Sequence, residues 1–110
     1  MLGQTRAPDE VIVVDDGSTD GSRDVALGYA NRGVRVVATP SNSGAAAARN
    51  LGAREARGEL IAWLDADDVW LPEHLATVVA LAERFPETAV AFSLTRAFGG
   101  ERDDEWAALI

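Results

Sequence analysis

An apolar run of strand length, residues 60–64 (LIAWL), stops at three carboxylates within four residues, Asp65, Asp67 and Asp68. The run is continuous rather than alternating, as in a strand covered on both faces, so it predicts a buried strand over 60–64. Burial does not account for the acidic end. Three neighbouring negative charges repel unless solvent or a cation screens them. Open α/β sheets place their ligands outside the carboxyl ends of their strands. Mg²⁺ or Mn²⁺, held by one or two carboxylates plus phosphate oxygens, would turn that repulsion into coordination.

A second strand ends the same way. Residues 11–14 (VIVV) are β-branched throughout and run into Asp15, Asp16, Gly17 and Ser18, an acidic end followed by turn chemistry. Between and after the two acidic ends, strand and helix signals alternate. A helix is predicted over 22–31, with Ser18, Thr19 and Asp20 as candidate N-caps and Gly33 closing it. A strand follows over 34–38, then a loop over 40–44 with Ser43 as cap. The four consecutive alanines drive a helix over 45–57, ended by Gly58. After the strand at 60–64, Pro72 and Glu73 open a helix that runs to Phe85 and stops at Pro86. A fourth strand is predicted over 89–94, a turn at Gly99 and Gly100, an acidic stretch over 101–105 and an apolar tail over 106–110. The alternation predicts an α/β fold with a mostly parallel sheet, its helices supplying the crossovers. In such a sheet both acidic ends lie at the same edge.

Composition removes several chemistries. At 110 residues the chain is one small domain at most, and 47% hydrophobic content supplies a core. The net charge of −8 opposes nonspecific nucleic-acid binding, which needs a basic surface. With no cysteine there are no disulfides, thiol nucleophiles or thiolate metal sites, and one histidine, His74, makes a multi-histidine zinc site untenable. All basic side chains are arginine, so Schiff-base and P-loop lysines are absent. Residues 16–21 mimic the start of an EF-hand loop, but the twelfth position is Leu27 where a bidentate Glu is needed. No Gly-x-Gly-x-x-Gly follows the first strand. No signal-peptide core occupies 1–16 and no apolar run reaches membrane-spanning length, which predicts a cytoplasmic protein.

Three stretches carry a family resemblance. Residues 11–22 (VIVVDDGSTDGS) resemble the second strand and following turn of the family 2 inverting glycosyltransferases. Residues 41–59 (SNSGAAAARNLGAREARGE) resemble their Asn-x-Gly…Ala-Arg-Asn-x-Gly helix, and residues 60–72 (LIAWLDADDVWLP) are similar to the strand bearing their Asp-x-Asp motif. The resemblance runs in register from about Gly3 to Leu94. It implies a GT-A fold, a Rossmann-like, mostly parallel sheet with flanking helices, and a nucleotide-diphospho-sugar donor, a UDP-sugar first among them. By the same match Asp16 accepts from the imide N–H of the base with Asp15 beside it, and Asp65 lies near the ribose and diphosphate. Asp67 would ligate Mg²⁺ or Mn²⁺ directly, supported by Asp68. Transfer would proceed with inversion to a glycan, lipid or protein acceptor, with a general base expected beyond Ile110.

The resemblance also implies an earlier central strand, between those ending at Val14 and Leu64, that residues 1–5 do not supply. Unpaired inner edges predict weak stability and self-association of this partial domain. Many members of the family work on cytoplasmic membrane surfaces, so peripheral association with the inner face of the cell membrane is a further implication. Among single residues, Trp63 is expected in the core, Trp70 in packing and His74 in solvent, while Arg49 and Asn50 suit either helix packing or a donor-proximal role. Two other classes stay open: a non-catalytic remnant or interaction module that keeps the fold, and an unrelated acidic α/β domain binding a metal–phosphate ligand.

Overall fold

Strand β1 (Val11–Asp15) pairs in parallel with β2 (Val34–Ala38), Val11 opposite Val34 and Asp15 opposite Ala38. β1 is β-branched at four of its five positions and β2 at three, which suits a pleated, half-buried surface. Val11 and Val34, at their amino ends, are buried. The pair belongs to a computed structural model that describes residues 1–91, 93, 95, 96, 106 and 107. The chain forms two compact units, one of Leu2 and Ala7–Val69, the other of Met1, Gly3–Arg6 and the residues from Trp70 onward.

In the first unit the crossover from β1 to β2 is a short helix, α1 (Ser22–Leu27), and a 3₁₀ turn (Ala30–Arg32). The helix expected over 22–31 therefore stops early. Gly28, a poor helix former, caps it through its N–H to the carbonyls of Asp24 and Ala26. At the other end Gly21, in the left-handed region (φ 84°), is the N-cap. Of the three expected caps only Asp20 contributes, from one residue upstream: its Oδ1 accepts from the N–H (3.0 Å) and hydroxyl (2.6 Å) of Ser22.

Helix α2 (Ala45–Glu55) returns along β1. It begins after Gly44 (φ 88°) without a side-chain cap from that residue, so Ser43 is not the cap its sequence suggests. It also ends two residues before Arg57. Ala56 is extended, and the amides of Arg57 and Gly58 leave the helix to donate to the Glu10 carboxylate at 2.6 and 3.3 Å. Gly52 permits the close approach of α2 to β1. A Cβ there would stand 3.2 Å from Val14 Cγ2 and 3.4 Å from Cζ3 of Trp63.

The buried strand expected over 60–64 does not form. Among the described residues no ladder includes it, and Leu60, Ile61 and Trp63 are 59%, 44% and 48% exposed. A strand exists only through a partner's hydrogen bonds, and the described residues supply none to this segment. Trp63 likewise is not a core residue; about half of it is exposed, and one edge of its ring lies near Gly52.

In the second unit, α3 (His74–Arg84) is tied to the amino-terminal segment. The Gln4 side chain donates to the Leu71 carbonyl (2.7 Å) and accepts from the Leu75 N–H (2.9 Å), while the Thr5 N–H donates to Pro72 O (2.8 Å). Pro72 and Glu73 form a turn before the helix rather than its first residues. Leu75 is buried. His74 is half-buried rather than exposed. It stacks on Trp70 (centroids 4.5 Å apart, planes at 22°), and burial holds its pKa below the ordinary histidine value. Residues 89–91 and 93 join no ladder, and the remaining positions of the strand expected over 89–94 lie outside the described residues. A two-residue antiparallel pair, β3 (Thr95–Arg96) with β4 (Trp106–Ala107), is present instead. The expected turn at Gly99 and Gly100 and the acidic stretch 101–105 also lie outside the described residues.

Candidate functional site

The carboxyl end of β1 is built from hydrogen bonds to its two aspartates. Asp15 is buried, 7% exposed, and its Oδ1 accepts from the Ser18 N–H at 3.1 Å, folding the turn back on the strand end. Gly17 makes that turn possible: its φ is 75°, and a Cβ would stand 3.1 Å from the Asn42 amide nitrogen. Asp16 faces the loop between β2 and α2. Its Oδ1 accepts from the Thr39 hydroxyl (2.5 Å) and the Ser43 N–H (2.8 Å), and its Oδ2 from the Gly44 N–H (2.7 Å). The Thr39 hydroxyl first, then the two amides, hold the Asp16 carboxyl below the usual carboxylate range. A carboxylate has about four acceptor positions. Among the described residues three are used, which leaves one on Oδ2.

The second acidic cluster is a turn over 65–68 closed by the Asp68 N–H to the Asp65 carbonyl at 3.1 Å. Arg49, from α2, reaches across with Nη2 at 2.7 Å from both oxygens of Asp65. Asp67 and Asp68 are exposed, and among the described residues neither side chain is engaged in an ion pair or a hydrogen bond. No group of three or more His, Asp or Glu among the described residues gathers into a protein-only metal cage.

Helix α2 links the two clusters. Its N-cap residue, Gly44, is bonded to Asp16, and Arg49, five residues on, holds Asp65. At the rise of an α-helix these attachment points are about 7.5 Å apart along the axis. Thus Asp16 and Asp65 are tethered to one rigid element, with Asp67 and Asp68 in the turn that Asp65 begins. Two residues with no firm role in the sequence now have contacts: Thr39, bonded to Asp16, and Arg49, bonded to Asp65. The only sequence signal for either was the position of Arg49 in the Ala-Arg-Asn helix; Thr39 had none.

A shallow depression of about 430 Å³ opens elsewhere, lined by Asp9, Glu10, Arg57, Gly58 and Glu59 at the amino end of β1. Its central carboxylate, Glu10, is committed to the amides of Arg57 and Gly58, which hold its pKa below the usual range. That depression is a structural junction and not the acidic edge.

Comparison with known proteins identifies this architecture. The family model for glycosyl transferase family 2 matches residues 1–110. An uncharacterized glycosyltransferase of Nostoc sp. (strain PCC 7120) is 34% identical over 98% of this chain and 34% of its own length. The UDP-Glc:alpha-D-GlcNAc-diphosphoundecaprenol beta-1,3-glucosyltransferase WfgD of Escherichia coli is 35% identical over 74% of this chain and 32% of its own. An uncharacterized glycosyltransferase of Haemophilus influenzae (strain Rd) is 44% identical over 61% of this chain and 28% of its own. The chain thus spans about a third of the length of the curated relatives it matches. No solved structure matches it. With a parallel β-pair, flanking helices and a family match over its whole length, the chain belongs to glycosyltransferase family 2.

Proposed function

We propose that this chain is the donor-binding portion of a transferase that moves a sugar from a nucleotide-diphospho-sugar, a UDP-sugar first among candidates, to an acceptor hydroxyl with inversion. The observation that carries the reading is the attachment of both acidic clusters to α2, within the family match. In this reading the free acceptor position of Asp16 Oδ2 takes an N–H of the base. Asp15 shapes the turn beneath it, and Asp65 faces the ribose and diphosphate. The name of the E. coli relative, with its UDP-glucose donor and lipid-linked acceptor, favours that donor class and a lipid-linked glycan acceptor. Work at the cytoplasmic face of the membrane would suit such an acceptor. Among the described residues no helix is long and apolar enough to cross a membrane.

The donor set of the 65–68 turn fits a small divalent cation. Mg²⁺ asks for only one or two carboxylates when phosphate oxygens complete its shell, and Asp67 and Asp68 are exposed and uncommitted. Asp67 and Asp68 would hold Mg²⁺ or Mn²⁺, which when bound neutralises charge on the departing nucleoside diphosphate. The family resemblance assigns the acceptor-side general base to none of residues 1–110, so these residues alone should bind donor without detectable transfer.

Calorimetric titration of UDP with Mn²⁺ into the chain and into Asp67→Ala tests the reading. Weak, metal-dependent binding lost in Asp67→Ala is the expected result. Equal, metal-independent binding by both would remove Asp67 from the site.

A further inference from the structure

Thr39 is a polar side chain at the acidic edge in direct contact with Asp16. Thr39 follows the last residue of β2, and its N–H is fixed by the Asp15 carbonyl at 3.0 Å. Its hydroxyl lies 2.5 Å from Asp16 Oδ1 and 2.7 Å from the Ser41 carbonyl. A hydroxyl has one proton to give. The Ser41 carbonyl already accepts from the Ser43 hydroxyl at 2.8 Å. A hydrogen bond to an ionised acceptor is about twice as strong as one to a neutral acceptor. The Thr39 proton therefore goes to Asp16.

We propose that Thr39 is a positioning residue for donor binding: together with the Ser43 and Gly44 amides it locks the Asp16 carboxylate in a single orientation, leaving one acceptor position on Oδ2 to the ligand. The inference rests on the reading of Asp16 as a donor contact. Without the hydroxyl, Oδ1 keeps one amide and Oδ2 the other, and with two bonds in place of three the carboxylate is held less tightly about its χ2 angle, which is a broad torsion. The loop Pro40, Ser41, Asn42, Ser43 and Gly44 has no titratable side chain, and the neighbouring carboxylate, Asp15, is occupied by the Ser18 amide.

Thr39→Val keeps the shape and removes the proton; Thr39→Ser keeps the proton. Two measurements on the same three proteins decide the matter: the titration midpoint of the Asp16 carboxyl carbon by NMR, and UDP affinity with Mn²⁺ by calorimetry. In Thr39→Val the Asp16 midpoint should rise toward the ordinary carboxylate value and UDP affinity should fall about tenfold, the reduction expected when the binding orientation is populated about a tenth of the time. Thr39→Ser should restore both. An unmoved Asp16 midpoint in Thr39→Val, or a loss of affinity that Thr39→Ser does not recover, overturns the proposal. If the parent chain itself binds no UDP, the donor reading falls, while the carboxyl titration still decides whether Thr39 holds Asp16.

Discussion

The two ends of the β1–β2 pair handle negative charge in different ways. At the amino end, Arg35 donates to the carboxylate (2.5 Å) and main-chain carbonyl (2.6 Å) of Glu55 and stands 3.7 Å from Glu10. Acids there have a cation in their midst, and the junction ties the entry of β1 to the exit of α2. At the carboxyl end, Asp15 and Asp16 are met, among the described residues, only by neutral N–H and O–H groups. Hydrogen bonds from neutral donors fix a carboxylate without cancelling its charge. The amino end is thereby closed, whereas the carboxyl end keeps a negative field available to a cation or to donor N–H groups. Asp65 lies between these cases, since Arg49 neutralises it while Asp67 and Asp68 beside it have no ion-pair partner among the described residues.

The largest effect should come from the turn that presents Asp16. Gly17→Ala forces a Cβ into the left-handed region and to 3.1 Å from the Asn42 amide nitrogen, so it should destabilise the chain by about 2–3 kcal/mol. Gly33→Ala, at φ 83° but with nothing within 4 Å, should cost only about 1 kcal/mol, the conformational part alone. Urea midpoints of the two variants measure the difference, and equal losses would mean that the contact with Asn42 contributes nothing.

Salt separates the two ends next. Arg35→Ala should destabilise by about 1 kcal/mol at low ionic strength, because its ion pairs are partly exposed. In 1 M NaCl that loss should shrink, as screening shortens the reach of charge–charge attraction. Asp16→Asn should also lower the melting temperature, because its amide would present N–H groups to donors that need an acceptor, and this loss should persist in salt. A salt-sensitive Asp16→Asn would place an unseen cation at the carboxyl end.

Acid discriminates further. The folded-state pKa of Asp16 lies below its unfolded value of about 3.9. Its contribution is therefore complete above the unfolded value and is lost as pH falls through the lowered folded one. Melts between pH 5 and 2.5 should show a decline that Asp16→Asn flattens. Glu10, lowered first by the Arg57 amide, titrates in the same sense, so Glu10→Gln should flatten a separate share of it.

Much of this contrast was invisible in the sequence. The β-branched runs that become β1 and β2, and the alanine-rich α2, form where local preference and burial agree. Residues 60–64 have the same local preference but, among the described residues, no ladder partner, so their apolar run indicates what a neighbour would cover rather than what is covered. The acidic ends themselves were legible as runs of Asp. Their partners were not: Thr39, Ser43 and Gly44 lie 23 to 28 residues from Asp16, and Arg49 lies 16 from Asp65. No periodicity reports such pairings, because they depend on how α2 lies against β1. Gly52 sets that placement, and its smallness reads in sequence only as a weakness of the helix.

His74 provides the smallest effect and a control for the acid experiments, since it belongs to the unit that contains neither end of the β1–β2 pair. Burial lowers its pKa, so the neutral ring is favoured on folding. The sign follows from linkage. Between the lowered folded value and the unfolded value of about 6.5, the unfolded chain binds more protons, and stability rises with pH across that window. Melting temperature should therefore decline slightly as pH falls from 7 toward 5, above the range in which Asp16 and Glu10 titrate. His74→Phe keeps a ring to stack on Trp70 and removes the proton, so it should abolish this shallow decline and leave the steeper one below pH 5 intact. If the steeper decline vanished as well, the acid sensitivity would originate in the helical unit, and the contrast between the two strand ends would lose its titrating half.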